Sequence, residues 1–334
     1  MRRFFAPGQL THAPQRELHN GGFTAYAETP ARAEAILTAI GGAEQPDEAG
    51  EAPIRAVHDD AYLHFLKDAP ALWEAAGRSG EAMPYAFPVV GRRPLKLDRI
   101  DALIGAHAFD ATTPIVAETW TAAYWSTQSA LAATDAVLAG DRAAFALARP
   151  PGHHAGRDYC GGYCHLNHAA IAAQHARDAG RARVAILDID YHHGNGTQDI
   201  FWDRGDVFYA SVHADPASDY PFYWGHADEG GAGDGRGATL NLPLAQGATL
   251  DPFRHAQSQA LEAITAFAPE LLVVSFGADT WDGDPISHFA LRTEDYAVLA
   301  RDIAGCGWPT VICMEGGYAV DALGRNVASF LSGF

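Results

Sequence analysis

Long apolar runs are missing from this sequence of 334 residues, and none approaches the roughly 20 consecutive apolar residues that a membrane-spanning helix requires. Residues 1–8 carry positive charge, but no apolar segment follows them, so we expect no signal peptide and a cytoplasmic location. Basic residues are scarce. The sequence has 23 Lys and Arg but 41 Asp and Glu, which gives a formal net charge of −18. This balance argues against nucleic acid as a partner and suits a cationic small molecule, although the solubility of an acidic protein explains it equally simply.

Paired cysteines are absent as well. The four cysteines, Cys160, Cys164, Cys306 and Cys313, form no CxxC pair, so a structural zinc ribbon is not predicted. Without a secretion signal we expect reduced thiols. Cys160 and Cys164 flank a Gly-Gly pair, and we interpret them as small residues of a tight loop.

What the sequence does contain is an alternation of helical and strand-like segments, which is typical of a parallel sheet covered on both faces. Apolar runs of strand length occupy 143–148, 184–190, 207–212, 271–276 and 310–314. Helices are predicted at 30–40, 59–76, 118–138, 165–179, 195–203, 251–267 and 293–305. No change of composition divides the chain, so a single domain over residues 1–334 is expected.

Residues 78–116 interrupt this alternation, because they contain four prolines and little periodicity. An irregular segment of this length is usually functional, oligomeric or mobile.

Polar chemistry follows directly after four of the predicted strands. The segments are 149–154, 188–193, 275–279 and 315–318. In parallel α/β sheets, ligands bind outside the carboxyl ends of the strands. We therefore expect these four loops to converge on one pocket.

Two of the loops offer metal ligands. Asp190, His192 and Asp279 would supply two carboxylates and an imidazole, and catalytic zinc sites have three such ligands and an open position. Taken alone, Asp279 could cap the next helix and His192 could be an ordinary buried histidine. The combination predicts a metal site.

The other two loops offer acid–base and hydrogen-bonding groups. His153 and His154 follow a rigid Pro-Pro-Gly segment and fit a general base with a second electrostatic or acid group, or else two surface histidines. Tyr318 follows two glycines, which permit an unusual turn that brings a phenol close to a ligand. Its hydroxyl could donate to a developing oxyanion, although the ring could also only anchor a turn.

The blocks PPGHH, DIDYHHGNGTQ, SFGADT and EGGY, in this order and spacing, resemble the zinc-dependent histone deacetylase superfamily. GGYC at 161–164, NGTQDIF at 195–201, DPIS at 284–287 and the early insertion are similar to the bacterial acetylpolyamine amidohydrolases. The resemblance implies an arginase-like α/β fold, in which a mostly parallel sheet of about eight strands is flanked by helices on both faces. It also implies hydrolysis of the N-acetyl amides of small cationic amines such as acetylputrescine, acetylcadaverine and acetylspermidine.

The same resemblance implies roles for individual residues. Zinc is expected on Asp190, His192 and Asp279, with acid–base chemistry at His153 and His154 and the substrate carbonyl held by Tyr318. His154 would be the proton shuttle to the leaving amine.

Further residues are implied around this centre. Asp188 would support His153 and, with Ser211, bind a potassium ion, while Asn195 would orient His154 without contributing charge. The remaining positions are Tyr163 and Tyr220 as aromatic walls of a substrate tunnel, and Glu17 and Asp101 as acidic contacts to the amine.

The insertion at 78–116 is expected to shape the tunnel mouth and to build a homodimer.

Three alternative functions stay open at this point. One is a deacetylase that acts on acetyl-lysine in proteins or peptides, and another is a non-catalytic protein that binds acyl amines. The third, an arginase-like site with two manganese ions, normally needs a DxHxD arrangement, whereas the motif here is Asp188-x-Asp-x-His192.

Overall fold

The computed structural model describes residues 1–89, 91 and 95–334. The positions 90 and 92–94 of the predicted insertion, Pro94 among them, lie outside the described residues.

The centre of the fold is a seven-stranded sheet in which all neighbouring strands pair in parallel. In chain order its strands are β1 Arg2–Phe4, β4 Ala143–Ala146, β5 Val184–Asp188, β6 Val207–Ala214, β7 Thr239–Leu244, β8 Leu271–Phe276 and β9 Thr310–Met314. A separate antiparallel hairpin is formed by β2 Arg16–His19 and β3 Gly22–Ala25. The predicted fold class is confirmed, and among the described residues the sheet has seven strands instead of about eight.

Helices cover both faces of this sheet. Their bounds are α1 Pro30–Ile40, α2 Ala52–Arg55, α3 Asp60–Ala75, α4 Ile100–Ala106, α5 Thr119–Leu138, α6 His168–Asp178, α7 Asn195–Phe201, α8 Leu250–Phe267, α9 Thr293–Gly305 and α10 Val320–Leu331. Each helix predicted from the sequence is present within a few residues of its expected bounds. In the part of the chain that the structure describes, no helix is both long and apolar enough to cross a membrane.

The apolar core forms two layers, one on each face of the sheet. Successive residues of a strand point to opposite faces, so Val273 belongs to the layer under α3, α5 and α6, whereas Val274 belongs to the layer under α1, α8, α9 and α10. Central strands that are buried on both faces become continuous apolar runs, and this is why the sequence identifies them clearly.

The strand order β1-β4-β9-β8-β5-β6-β7 determines where the functional loops lie. The four polar loops follow β4, β9, β8 and β5, which are adjacent in the sheet and parallel. Their carboxyl ends therefore share one edge, and the predicted convergence of the four loops is confirmed.

Candidate active site

The loop after β5 and the loop after β8 bring two carboxylates and an imidazole together. His192 Nδ1 lies 3.3 Å from Asp190 Oδ1 and 3.2 Å from Asp279 Oδ2. Both carboxylates are fully buried, and one ligand atom from each of the three residues lies within 4.8 Å of the others. Because β5 and β8 are neighbours, the sheet itself sets this spacing.

The hydrogen bonds around these carboxylates leave one oxygen free. Asp279 Oδ1 accepts from the Tyr191 backbone N–H at 3.0 Å, and Asp190 Oδ2 accepts from the Gly316 N–H at 2.8 Å. Asp279 Oδ2 is buried and has no hydrogen-bond partner among the described residues. A buried carboxylate oxygen without a partner is costly unless a cation faces it.

The electrostatics of the three residues also indicate a place for positive charge. Burial and the neighbouring Asp190 carboxylate raise the pKa of Asp279 to about 7. Burial would lower the pKa of His192, but the two adjacent carboxylates of Asp190 and Asp279 outweigh burial and raise it to about 10. Burial likewise opposes ionisation of Asp190, yet the facing His153 and His192 lower its pKa. A divalent cation bound by two oxygens and one nitrogen fits this excess of negative charge.

Two glycines make room for this arrangement. A side chain at Gly277 would overlap the carboxylate of Asp190, and a side chain at Gly316 would overlap that of Asp279. The backbone must approach both carboxylates closely here, which only glycine allows.

His153 is held by a carboxylate on the same sheet edge. Its Nδ1 lies 3.0 Å from Asp188 Oδ2, which also accepts from the Tyr209 hydroxyl at 3.0 Å. Its Nε2 lies 3.8 Å from Asp190 Oδ1. Burial would lower the pKa of His153, but the charges of Asp188 and Asp190 raise it to about 10.

His154 lies beside His153 with a ring distance of 4.1 Å but has the opposite character. Its Nδ1 lies 2.7 Å from Asn195 Oδ1, so its partner is an amide and not a carboxylate. Burial, followed by the charges of His153 and His192, lowers the pKa of His154 well below its ordinary value. The two adjacent histidines are therefore distinct, one favouring the imidazolium and one the neutral imidazole.

Tyr318 is positioned through its backbone and its ring. Its N–H donates to Asp284 Oδ2 at 2.7 Å. The ring contacts Tyr163 at a centroid distance of 5.5 Å and lies 4.8 Å from the Arg32 guanidinium carbon. Burial raises the pKa of Tyr318 well above its ordinary value, so its hydroxyl keeps its proton and can act as a donor.

A narrow cavity of about 100 Å³ connects these groups. It is lined by His19, Thr112, His154, Gly162, Tyr163, His192, Tyr220, Ile286 and Tyr318. The ring of Tyr220 is fixed because its hydroxyl donates to Asp110 Oδ2 at 2.7 Å. The cavity thus has largely aromatic walls and polar groups at one end, which suits a slim chain that carries one polar head.

The structure places the other predicted residues around this cavity at different distances from it. Glu17 is buried behind Tyr163, whose hydroxyl donates to Glu17 Oε1 at 2.9 Å, and burial raises the pKa of this carboxylate. Ser211 pairs in register with Asp188 across β5 and β6, and its hydroxyl lies 2.7 Å from His213 Nδ1.

Asp101 is not brought to the cavity. It lies on α4, where its carboxylate forms salt bridges with Arg78 and Arg99. Its charge is therefore already engaged within the insertion.

Sequence reasoning missed Asp110 and Asp284. Asp284 belongs to the DPIS block, which could have directed attention to it, and its oxygens accept from the N–H groups of Ile286, Tyr318 and Ala319. Asp110 accepts from Thr112, Gly162 and Tyr220, but it lies in an irregular segment where no pattern distinguishes it.

Comparison with known proteins agrees with this geometry. The model of the histone deacetylase domain family matches residues 26–334. Acetylpolyamine amidohydrolase 1 of Pseudomonas aeruginosa is 47% identical over 332 residues, covering 97% of this chain and 95% of the relative. The acetylpolyamine amidohydrolase of Mycoplana ramosa is 45% identical and covers 100% of this chain and 99% of its own.

Solved structures give the same result. The crystal structure of acetylpolyamine aminohydrolase from Burkholderia pseudomallei has a TM-score of 0.96 and 44% identity, covering 100% of this chain and 98% of that one. The HDA15 HD domain has a TM-score of 0.83 and 26% identity, covering 99% and 90% of the two chains. The chain belongs to the histone deacetylase family, and the resemblance drawn from its motifs is confirmed.

Proposed function

We propose that this protein is a metal-dependent amidohydrolase that removes the acetyl group from small cationic amines, such as acetylputrescine, acetylcadaverine and acetylspermidine. The products are acetate and the free amine. One observation carries the proposal: two buried carboxylates and an imidazole face a neutral histidine and a protonated tyrosine across a narrow aromatic cavity. The names of the relatives give the substrate class. The whole chain, residues 1–334, would act as one catalytic domain.

Asp190, His192 and Asp279 would hold one zinc ion, which fits the unpartnered Asp279 oxygen and the mixed oxygen and nitrogen donors. When bound, such an ion polarises the acetyl carbonyl and lowers the pKa of a water molecule. Asp188 and Ser211 would hold a potassium ion beside it, because both side chains are buried and lie opposite each other in the sheet.

The chain's own residues would perform the proton transfers and hold the substrate. His154 is neutral and can accept a proton from the attacking water at Nε2, then return it to the departing nitrogen. His153, held by Asp188, would supply positive charge beside the reacting atoms. The Tyr318 hydroxyl would donate to the carbonyl oxygen as negative charge develops on it.

Substrate selection would follow from the shape and charge of the cavity. Tyr163 and Tyr220 would enclose the methylene chain, and the net charge of −18 would attract a cationic amine. The buried Glu17 behind Tyr163 would act on the amine through its field, whereas Asp101, which is paired with Arg78 away from the cavity lining, would not.

The decisive experiment is a turnover panel with the zinc-loaded protein. We expect kcat/KM for acetylputrescine, acetylcadaverine or acetylspermidine to exceed that for an acetyl-lysine peptide, because the narrow cavity disfavours a bulky backbone. A higher value for the peptide would favour the alternative deacetylase. Binding of acetylated amines without any hydrolysis would instead indicate a non-catalytic binding protein.

The insertion at 78–116 would shape the cavity mouth and form a homodimer interface. Thr112 lines the cavity, and Asp110 fixes the ring of Tyr220 from the same segment. The segment also exposes the large apolar side chains of Tyr85, Phe87, Val89 and Leu95. Exposed apolar side chains of this size favour association with a second copy. Light scattering should give the mass of a dimer, and a monomer at micromolar concentration would contradict this part of the proposal.

We also propose that the protein is located in the cytoplasm.

A further inference from the structure

The hydrogen bond between His154 and Asn195 does not by itself determine which ring nitrogen of His154 carries the proton, whereas a carboxylate partner would determine it. An asparagine side chain has an acceptor end and a donor end that differ little in shape. With Oδ1 toward His154, the imidazole must carry its proton on Nδ1 and leaves Nε2 free as a base. With the amide reversed, the lone pair would lie on Nδ1 and the proton would occupy Nε2. Some group must therefore select the orientation of Asn195.

Tyr159 and Asp199, which lie on the side of Asn195 away from His154, supply that selection. The Tyr159 hydroxyl lies 2.6 Å from Asp199 Oδ2, and the ionised carboxylate can only accept, so the hydroxyl hydrogen points to Asp199. The Tyr159 oxygen then presents only lone pairs to Asn195, whose Nδ2 lies 3.3 Å away. The donor end of the amide must face Tyr159, and Oδ1 must face His154 Nδ1 at 2.7 Å.

The placement of these residues follows from local structure. Asn195 and Asp199 are both on α7, four residues apart and thus on one side of the helix. The Tyr159 ring packs edge-on against Phe109 at 5.6 Å and closely over Gly156, where any side chain would overlap the ring. Packing raises the pKa of Asp199, and the hydrogen bond from Tyr159 opposes the rise. The only other acceptor near Asn195 Nδ2 in the described structure is the His154 carbonyl, at 3.5 Å.

We propose that Tyr159 and Asp199 are positioning residues that orient the Asn195 amide and thereby keep the lone pair of His154 on Nε2, facing the cavity. This inference rests on the role proposed for His154 as a base and proton shuttle. Neither residue lines the cavity, so both act through Asn195.

The first test reports the proton position directly and does not depend on activity. Nitrogen-15 NMR of the purified protein should show His154 protonated at Nδ1, with the resonance assigned by its loss in His154→Ala. A proton on Nε2 in the unsubstituted protein would overturn the inference, even if the enzyme were active. Absence of hydrolysis with the proton on Nδ1 would instead count against the proposed function alone.

Kinetics on an acetylated amine supply the second test. Tyr159→Phe keeps the ring but removes the acceptor, so kcat should fall about fivefold to tenfold, the usual effect of one lost neutral hydrogen bond, while KM changes little. Asp199→Leu should have a similar effect, because the Tyr159 hydroxyl could then turn toward Asn195. The matched variant Asp199→Glu keeps a carboxylate that can only accept, so it should lose less of kcat than Asp199→Leu.

The discriminating comparison repeats Tyr159→Phe in an Asn195→Asp background. A carboxylate has no donor end to misorient, so the second substitution should change kcat by less than about twofold there. An equal loss in both backgrounds would overturn the inference and indicate a merely structural role for Tyr159. If Tyr159→Phe did not fold, the pair Asp199→Leu and Asp199→Glu would give the same decision, because residue 199 has access to solvent even though its carboxylate is partly packed.

Discussion

The substitution Tyr318→Phe isolates one hydroxyl in the proposed reaction. The ring contacts to Tyr163 and Arg32 and the backbone hydrogen bond to Asp284 do not involve that hydroxyl, so Phe should occupy the same position. What is lost is a single donor to a developing oxyanion in a buried site. Such a donor contributes about 3–4 kcal/mol, which corresponds to a decrease in kcat of roughly two to three powers of ten.

The assay for this prediction is kcat on an acetylated amine together with zinc content by mass spectrometry. Zinc content should stay the same, because Tyr318 is not one of the three proposed ligands. Tyr124→Phe is a suitable control. Tyr124 is a largely buried tyrosine of α5 that donates to Glu48 and does not line the cavity, so loss of its hydroxyl should leave kcat within about twofold. Near-normal turnover of Tyr318→Phe would refute the oxyanion role.

Two further predictions address the metal and the surface. Asp279→Ala should lose most of the zinc, because it removes one of three ligands, and full occupancy by metal analysis would contradict its assignment. Asp206→Asn should cost about 1 kcal/mol of unfolding free energy at neutral pH, because hydrogen bonds from Arg204 and Arg177 lower the pKa of Asp206 to about 2. A group with a lowered pKa contributes stability above its unfolded value and loses it as the pH falls through its folded value, so the difference should shrink from about pH 4 and be mostly gone at about pH 2. An undiminished difference in melting at pH 2 would show that the effect is not ionic.

The parts of the fold that the sequence predicts are those in which local pattern and burial agree. The runs 184–188 and 271–276 are apolar because both faces of the central strands are covered, and the helix at Pro30–Ile40 has Pro at its start and Gly41 in a left-handed conformation at its end. Strand β1 was missed because it has three residues, two of which are arginines, and β7 because it is a partly exposed edge strand.

The predicted site residues divide according to how far their roles depend on tertiary contacts. Asp190, His192 and Asp279 follow neighbouring parallel strands, so strand-end chemistry alone brings them together. Asp101 was expected at the amine, but its partners Arg78 and Arg99 lie within the irregular insertion, and no periodic pattern could have predicted those salt bridges.

The same dependence on tertiary contacts explains why the motif His153-His154 by itself does not separate the roles of the two histidines, which only the family resemblance supplied. Their chemical difference lies in their Nδ1 partners, which are 35 and 41 residues away in sequence. Asp188 favours the charged imidazole of His153, whereas Asn195 orients His154 through a hydrogen bond and brings no charge. A base must be neutral before it accepts a proton, so an amide partner suits His154 better than a second carboxylate would. This benefit depends on the amide being held in one orientation, and the Tyr159–Asp199 pair is therefore as much a part of the proposed catalytic arrangement as Asn195 itself.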